Sequence, residues 1–75
     1  MTELQRWERR VREASGGKLE VNRHQLVKAF PLSESEAIRL TQGLPFRRKE
    51  GKGKTRWYAT DLVAQRFYEN TEVME

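Results

Sequence analysis

Near the middle of this 75-residue chain, Phe30-Pro31-Leu32-Ser33 constrains the fold more than any other tetrapeptide. Proline has no N–H to donate and disfavours helical geometry at the residue before it, so a helix arriving from the N-terminal side must stop at Phe30. Ser33 with Glu36 three residues on is a capping box, the signature of a helix start, with Glu34 also favoured beside the positive end of the helix dipole. Only Leu32 separates stop from start, so two helices meet at a tight turn. The incoming helix opens at Asn22, with Gln25 completing a second capping box, and buries Leu26, Val27 and Phe30. The outgoing helix is expected over residues 34–42, buried through Ala37, Ile38 and either Leu40 or Thr41. It ends where Gly43 can take a left-handed cap and Pro45 forbids continuation. Two such helices, each of about nine residues, joined by a turn of about three, form a helix-turn-helix. Its turn carries Phe30-Pro31-Leu32 where glycine is usual.

The flanks follow from the same reasoning. In residues 2–14 an apolar stripe of Leu4, Trp7, Val11 and Ala14 marks one face of a helix, Thr2 and Gln5 form a capping box, and Glu8 precedes Arg12 by four. Ser15-Gly16-Gly17 should end that helix. Leu19 and Val21 alternate briefly, as in a short strand. After Pro45 the period shifts toward two. Phe46 leads into Arg47, Arg48 and Lys49, Gly51 and Gly53 suit a turn, and a strand returns with Thr55, Trp57 and Ala59 toward the core and Arg56 and Tyr58 on the other face. Thr, Trp and Tyr favour strands, which argues for a hairpin over a disordered basic tail. Thr60 or Asp61 then caps a last helix over 61–70, with Leu62, Val63 and Phe67 on its core side, and a frayed tail is expected over 70–75. The expected class is α+β, in a single domain spanning 1–75.

Hydrophobic residues make up 36% of the chain, enough for one small core. Without cysteine there is no disulfide framework or thiolate metal site, and His24 alone cannot hold zinc, so no metal or other cofactor is expected. No apolar run approaches the roughly 20 residues that span a bilayer, and Met1 leads into a charged segment, so the expectation is a soluble, cytoplasmic chain without membrane contact. Ser/His/Asp and Cys/His sets are lacking, and Gly51-Lys52-Gly53-Lys54 has neither the spacing nor the context of a phosphate-binding loop, so the chain is not expected to be an enzyme. The net charge is +4, yet residues 47–56 alone carry +5 and the remainder −1. Such a patch favours phosphate backbones or anionic surfaces.

The order helix, turn, helix, basic hairpin, helix is the winged-helix arrangement. In detail, "LVKAFPLSESEAIRLTQGLPFRRKEGKGKTRWYATDLVAQRF" resembles the excisionase-type branch of the MerR-like winged helices, in which a two-stranded wing closes on Arg-aromatic before a Ser/Thr-Asp-Leu helix start. Here those residues are Arg56, Trp57, Thr60, Asp61 and Leu62. The resemblance covers about residues 19–68 and leaves 2–14 as an extra N-terminal helix. It implies a small double-stranded DNA-binding protein of a phage or mobile element, acting in DNA recombination as an excisionase-like directionality factor or in transcription regulation. Its implied partners are DNA, a recombinase or RNA polymerase, and further copies bound side by side. The second helix of the pair would enter the major groove and the wing would reach backbone or minor groove.

On that helix Ser35, Arg39 and Gln42 share one face. Arg39 can bond guanine O6 and N7, Gln42 can bond adenine, and Ser35 can reach a base or phosphate. In the wing, Arg47, Arg48, Lys49, Lys52, Lys54 and Arg56 would contact phosphate or a narrow minor groove. Arg23 and Lys28 could add backbone contacts, and the Tyr58 hydroxyl a phosphate bond, whereas Trp57 is expected in the core. Glu34 and Glu36 place negative charge near the helix end that approaches DNA. Two other classes compete: an RNA-binding module that stacks single-stranded bases on exposed aromatics, and a protein adaptor that uses the stripe Leu4, Trp7 and Val11.

Overall fold

The three expected capping boxes all form: Thr2, Asn22 and Ser33 each accept from the backbone N–H three residues on, and Gln5, Gln25 and Glu36 return the bond. These local bonds begin α1 (Glu3–Ala14), α2 (Arg23–Ala29) and α3 (Glu34–Thr41) in a computed structural model that describes residues 2–74, with side chains through Asn70. At the end of α1, Gly16 N–H donates to Glu13 C=O at 3.0 Å and Gly17 N–H to Arg12 C=O at 2.8 Å. This is the Schellman pattern, and Gly16 at φ 77 takes the left-handed conformation it needs without Cβ strain. Two short strands, β1 (Glu20–Val21) and β2 (Tyr58–Ala59), and a last helix α4 (Thr60–Met74) complete an α+β fold of four helices and a two-stranded antiparallel sheet. α4 starts at Thr60 and runs to Met74, past the end expected at residue 70, so the tail expected to fray over 70–75 is helical up to residue 74, and residue 75 lies outside the described residues.

A single cluster gathers Val11, Val21, Leu26, Phe30, Leu40, Tyr58, Val63, Ala64 and Phe67. Trp7 of α1 lies flat on Phe67 of α4, ring centroids 4.8 Å apart and planes within 3°, and Phe30 tilts against Phe67 at 4.7 Å. Aromatic pairs of this kind contribute about 0.5–1.5 kcal/mol beyond their buried area. Arg10 extends the stack, its guanidinium 4.7 Å from the Trp7 ring centroid and 5.0 Å from that of Phe30. The N-terminal helix is thus built into the core. Among the described residues Glu8 and Arg12 form no ion pair.

The sheet corrects the sequence reading of the basic hairpin. Val21 stands opposite Tyr58 and Glu20 opposite Ala59, so the ladder joins segments 37 residues apart in sequence. Between the arms of the basic segment only one bridge forms, Arg47 with Trp57, through N–H···O bonds of 3.0 and 2.9 Å in each direction. The expected two-stranded unit over 46–58 is therefore a loop closed by one bridge, and its returning arm pairs with β1. Register follows: Val21 faces the core, so Tyr58 opposite it does too, and Ala59 points out. Because side chains alternate along a strand, this reverses the expected faces, and Tyr58 is only 1% exposed. Trp57 is half-buried and Thr55 exposed.

Two helical faces are also rotated from expectation. On α3 the buried set is Ala37, Leu40 and Thr41, leaving Ile38 46% exposed. On α4 it is Val63, Ala64 and Phe67, leaving Leu62 39% exposed. Each set follows helical spacing, and adjacent apolar residues left its centre ambiguous. Truncating a fully buried side chain should separate from truncating one at the rim: Leu26→Ala is expected to cost about 2–5 kcal/mol in urea denaturation, and Leu62→Ala no more than about 0.5 kcal/mol.

Candidate nucleic-acid interface

α3 is held by two arginines from its neighbours. Arg23 of α2 donates from Nε to the Thr41 hydroxyl at 2.9 Å, and that hydroxyl donates to Ala37 C=O at 2.9 Å. From α4, Arg66 Nη1 donates to the carbonyls of Gln42 at 3.0 Å and Leu40 at 3.3 Å. A cation on carbonyls at a helix C-terminus satisfies orphan acceptors and complements the dipole. Gln42 is the cap of α3, in extended backbone at φ −62 and ψ 129, rather than its last helical residue.

An open groove runs between this helix pair and the loop 46–56. Arg23 and His24 of α2, Glu34, Ile38 and Gln42 along α3, and Phe46, Lys54, Thr55 and Arg56 of the loop line it. Tyr58 forms its floor, with Arg23 5.6 Å from its ring centroid and Phe46 at 6.2 Å. Being buried, with a hydroxyl that has no hydrogen-bond partner among the described residues, Tyr58 is removed from the exposed contact residues. Arg23 is half-buried and tied to Thr41, so it braces the groove as well as lining it. Ser35 and Arg39 are exposed on α3 beside the groove, and Lys28 is exposed in the last turn of α2 outside its lining.

The six loop cations fall into three pairs. Arg47 donates from Nη2 to Glu20 at 2.9 Å, and Lys49 Nζ lies 3.4 Å from the same carboxylate and 3.9 Å from the Trp57 ring centroid. Arg56 and Arg48 sit 4.4 and 5.8 Å from the ring centroid of Phe46, which is 43% exposed. Lys52 and Lys54, flanking Gly53 at φ 63, are exposed and form no ion pair among the described residues. Six equivalent outward cations were expected; the fold divides them into a braced pair, a stacked pair and a free pair. Glu20, Phe46 and Ile38 were missed as site residues, because nothing local in the sequence ties Glu20 to residues 27 and 29 positions later.

Two carboxylates are held in their charged form. Glu20 has its pKa lowered chiefly by the Arg47 hydrogen bond, against some desolvation, with Lys49 adding to the lowering. Glu36 is lowered by the Ser33 backbone N–H first, then the Ser33 hydroxyl and the charge of Arg39. The Glu36 charge flagged as a repulsion at the start of α3 is thus engaged in the cap. Glu34, exposed and lining the groove, is the one acidic side chain there among the described residues.

Comparison with protein-family models, with curated proteins and with solved structures returned no match to this chain. No helix among the described residues is long and apolar enough to cross a membrane, and no group of three or more His, Cys, Asp or Glu among them could hold a metal ion.

A folded-state pKa below the unfolded value of about 4.3 means that both carboxylates stabilise the fold above that pH and cease to do so as pH falls through their folded values. In a carboxyl-detected NMR titration Glu20 and Glu36 should both titrate below the ordinary glutamate value. In Glu20→Gln, the amides of Arg47 and Trp57 should exchange faster at pH 7, with those of α3 unchanged. Equal exchange in the variant and the native chain would show that Glu20 does not hold the loop.

Proposed function

We propose that the chain is a small winged helix-turn-helix protein that binds double-stranded DNA, with α2 and α3 as the helix pair, α3 in the major groove and residues 46–58 as the wing on backbone or minor groove. The observation that carries this reading is the shared groove: α3 presents Ile38 and Gln42 to it, Lys54 and Arg56 face it from the loop, and Arg39 stands exposed alongside. A rigid helix held by Arg23 and Arg66 next to loosely tied lysines is the combination that base reading and phosphate attraction require separately. Its role is that of an excisionase-like recombination directionality factor or a small transcriptional regulator, with a recombinase or RNA polymerase as protein partner, as the family resemblance implies.

One observation favours a second reading. Phe46, exposed between Arg48 and Arg56, offers an unpaired base a surface for stacking, as in single-stranded RNA recognition. Preference for single-stranded RNA over duplex DNA in competition binding at fixed salt would favour it. The adaptor reading has less surface to offer, because Val11 is buried and Trp7 lies on Phe67 of α4, while Leu4 stays half-buried.

Binding by fluorescence anisotropy across a salt series tests the main reading. Arg39→Ala should lower affinity for a selected duplex by about 1–3 kcal/mol while leaving random duplex nearly unaffected. Lys52→Ala should weaken both alike and flatten the log–log salt slope by about 0.9. Arg47→Ala, whose guanidinium already has Glu20 as partner, should change the slope less than Lys52→Ala does.

A further inference from the structure

Resting on the DNA-binding reading, we infer that α3 recognises thymine through its 5-methyl group, with Ile38 as the residue that reads it. Among the described residues Ile38 is one of four large hydrophobic side chains left exposed to solvent, and it lines the groove. Ile38 stands between Glu34 and Gln42 on the groove side of α3, immediately before the exposed Arg39, the position from which a recognition helix meets base edges. An exposed isoleucine gains nothing from water, and burying it against another apolar group is favourable. In the major groove thymine is the one standard base that presents an apolar substituent, and small aliphatic and aromatic side chains are its usual partners.

The surroundings narrow the occupant to a nucleic acid that carries methyl groups. Arg23, Lys54 and Arg56 line the groove beside Ile38, so a ligand must bring anionic groups a short distance from small apolar ones. Duplex DNA rich in thymine does so at every such base pair. RNA brings the charge without the methyl. Arg39 on guanine and Gln42 on adenine would read neighbouring positions, so thymine is expected next to them in the preferred site.

The probe is a duplex selected by the native chain from a random-sequence pool, prepared in two forms, with thymine and with deoxyuridine, which pairs identically and lacks only the methyl. The native chain should bind the deoxyuridine duplex about fourfold more weakly for each buried methyl group removed, the factor that burial of one methyl group corresponds to. Ile38→Ala, at an exposed position that leaves the core intact, should bring the thymine-to-deoxyuridine ratio close to one and leave the salt slope unchanged. Phe46→Ala, in the loop placed on backbone or minor groove, should leave that ratio unchanged. Equal affinity of the native chain for both duplexes, or a ratio undiminished in Ile38→Ala, overturns methyl reading while DNA binding stands. Failure to bind any duplex at low salt overturns the parent reading and this one together.

Discussion

Val21 and Tyr58 face each other across a sheet only two residues deep, and the middle of the molecule depends on that pairing. The segment between them, which contains α2, α3 and the basic loop, is closed into one unit by it, and both partners are buried in the common core. Closing a loop of this length costs configurational entropy that two backbone pairs alone would not offset. Burial of Tyr58, Val21 and Leu26 supplies the remainder, and the bond from Thr60 N–H to Leu19 C=O at 2.9 Å carries the closure into the start of α4. Without it, neither the loop nor α3 would have a defined place relative to the other.

Around this closure the charged side chains take on distinct duties. Arg23 and Arg66 act as braces that hold α3 by its Thr41 hydroxyl and its terminal carbonyls, and each reaches from a different helix. Glu20 restrains the base of the loop through Arg47 and Lys49, next to the single bridge that closes it. Exposed ion pairs contribute little to global stability, but here two cations converge on one carboxylate and shape a segment that has almost no ladder of its own. Lys52 and Lys54 are left at the tip, free to meet a polyanion without first breaking an internal contact. A chain whose loop charge is +5 therefore offers a partner fewer uncommitted cations than its composition suggests.

Much of the local structure was legible. Each of the three capping boxes was recognisable as a pair of residues three apart, and Pro31 and the glycine pair at 16 and 17 marked helix ends, because these signals act through backbone groups only a few positions away. What failed was the choice of face. Ala37-Ile38 and Leu62-Val63-Ala64 offer adjacent apolar residues, and which one turns inward is decided by the helix it packs on rather than by its own segment. In the returning strand the pattern Thr55, Trp57, Ala59 looked like the buried set, yet pairing with Val21 turned Tyr58 inward instead. In the candidate site, Arg39 and the loop cations were legible as exposed polar groups, whereas Glu20, Phe46, Ile38 and the bracing role of Arg23 depend on partners distant in sequence.

By itself the sequence determined where the first three helices begin and end, that the chain would bury one small core, and that its positive charge would gather in one loop, since each follows from neighbours along the chain or from composition. Only the tertiary structure decided which side chains line the groove, which cations are already partnered, and that the basic loop is closed by β1 and Glu20. The physical reason is the same in each case: strand register and helix rotation are settled by contacts between residues tens of positions apart, and a shift of one residue in either exchanges what is buried for what a ligand can touch.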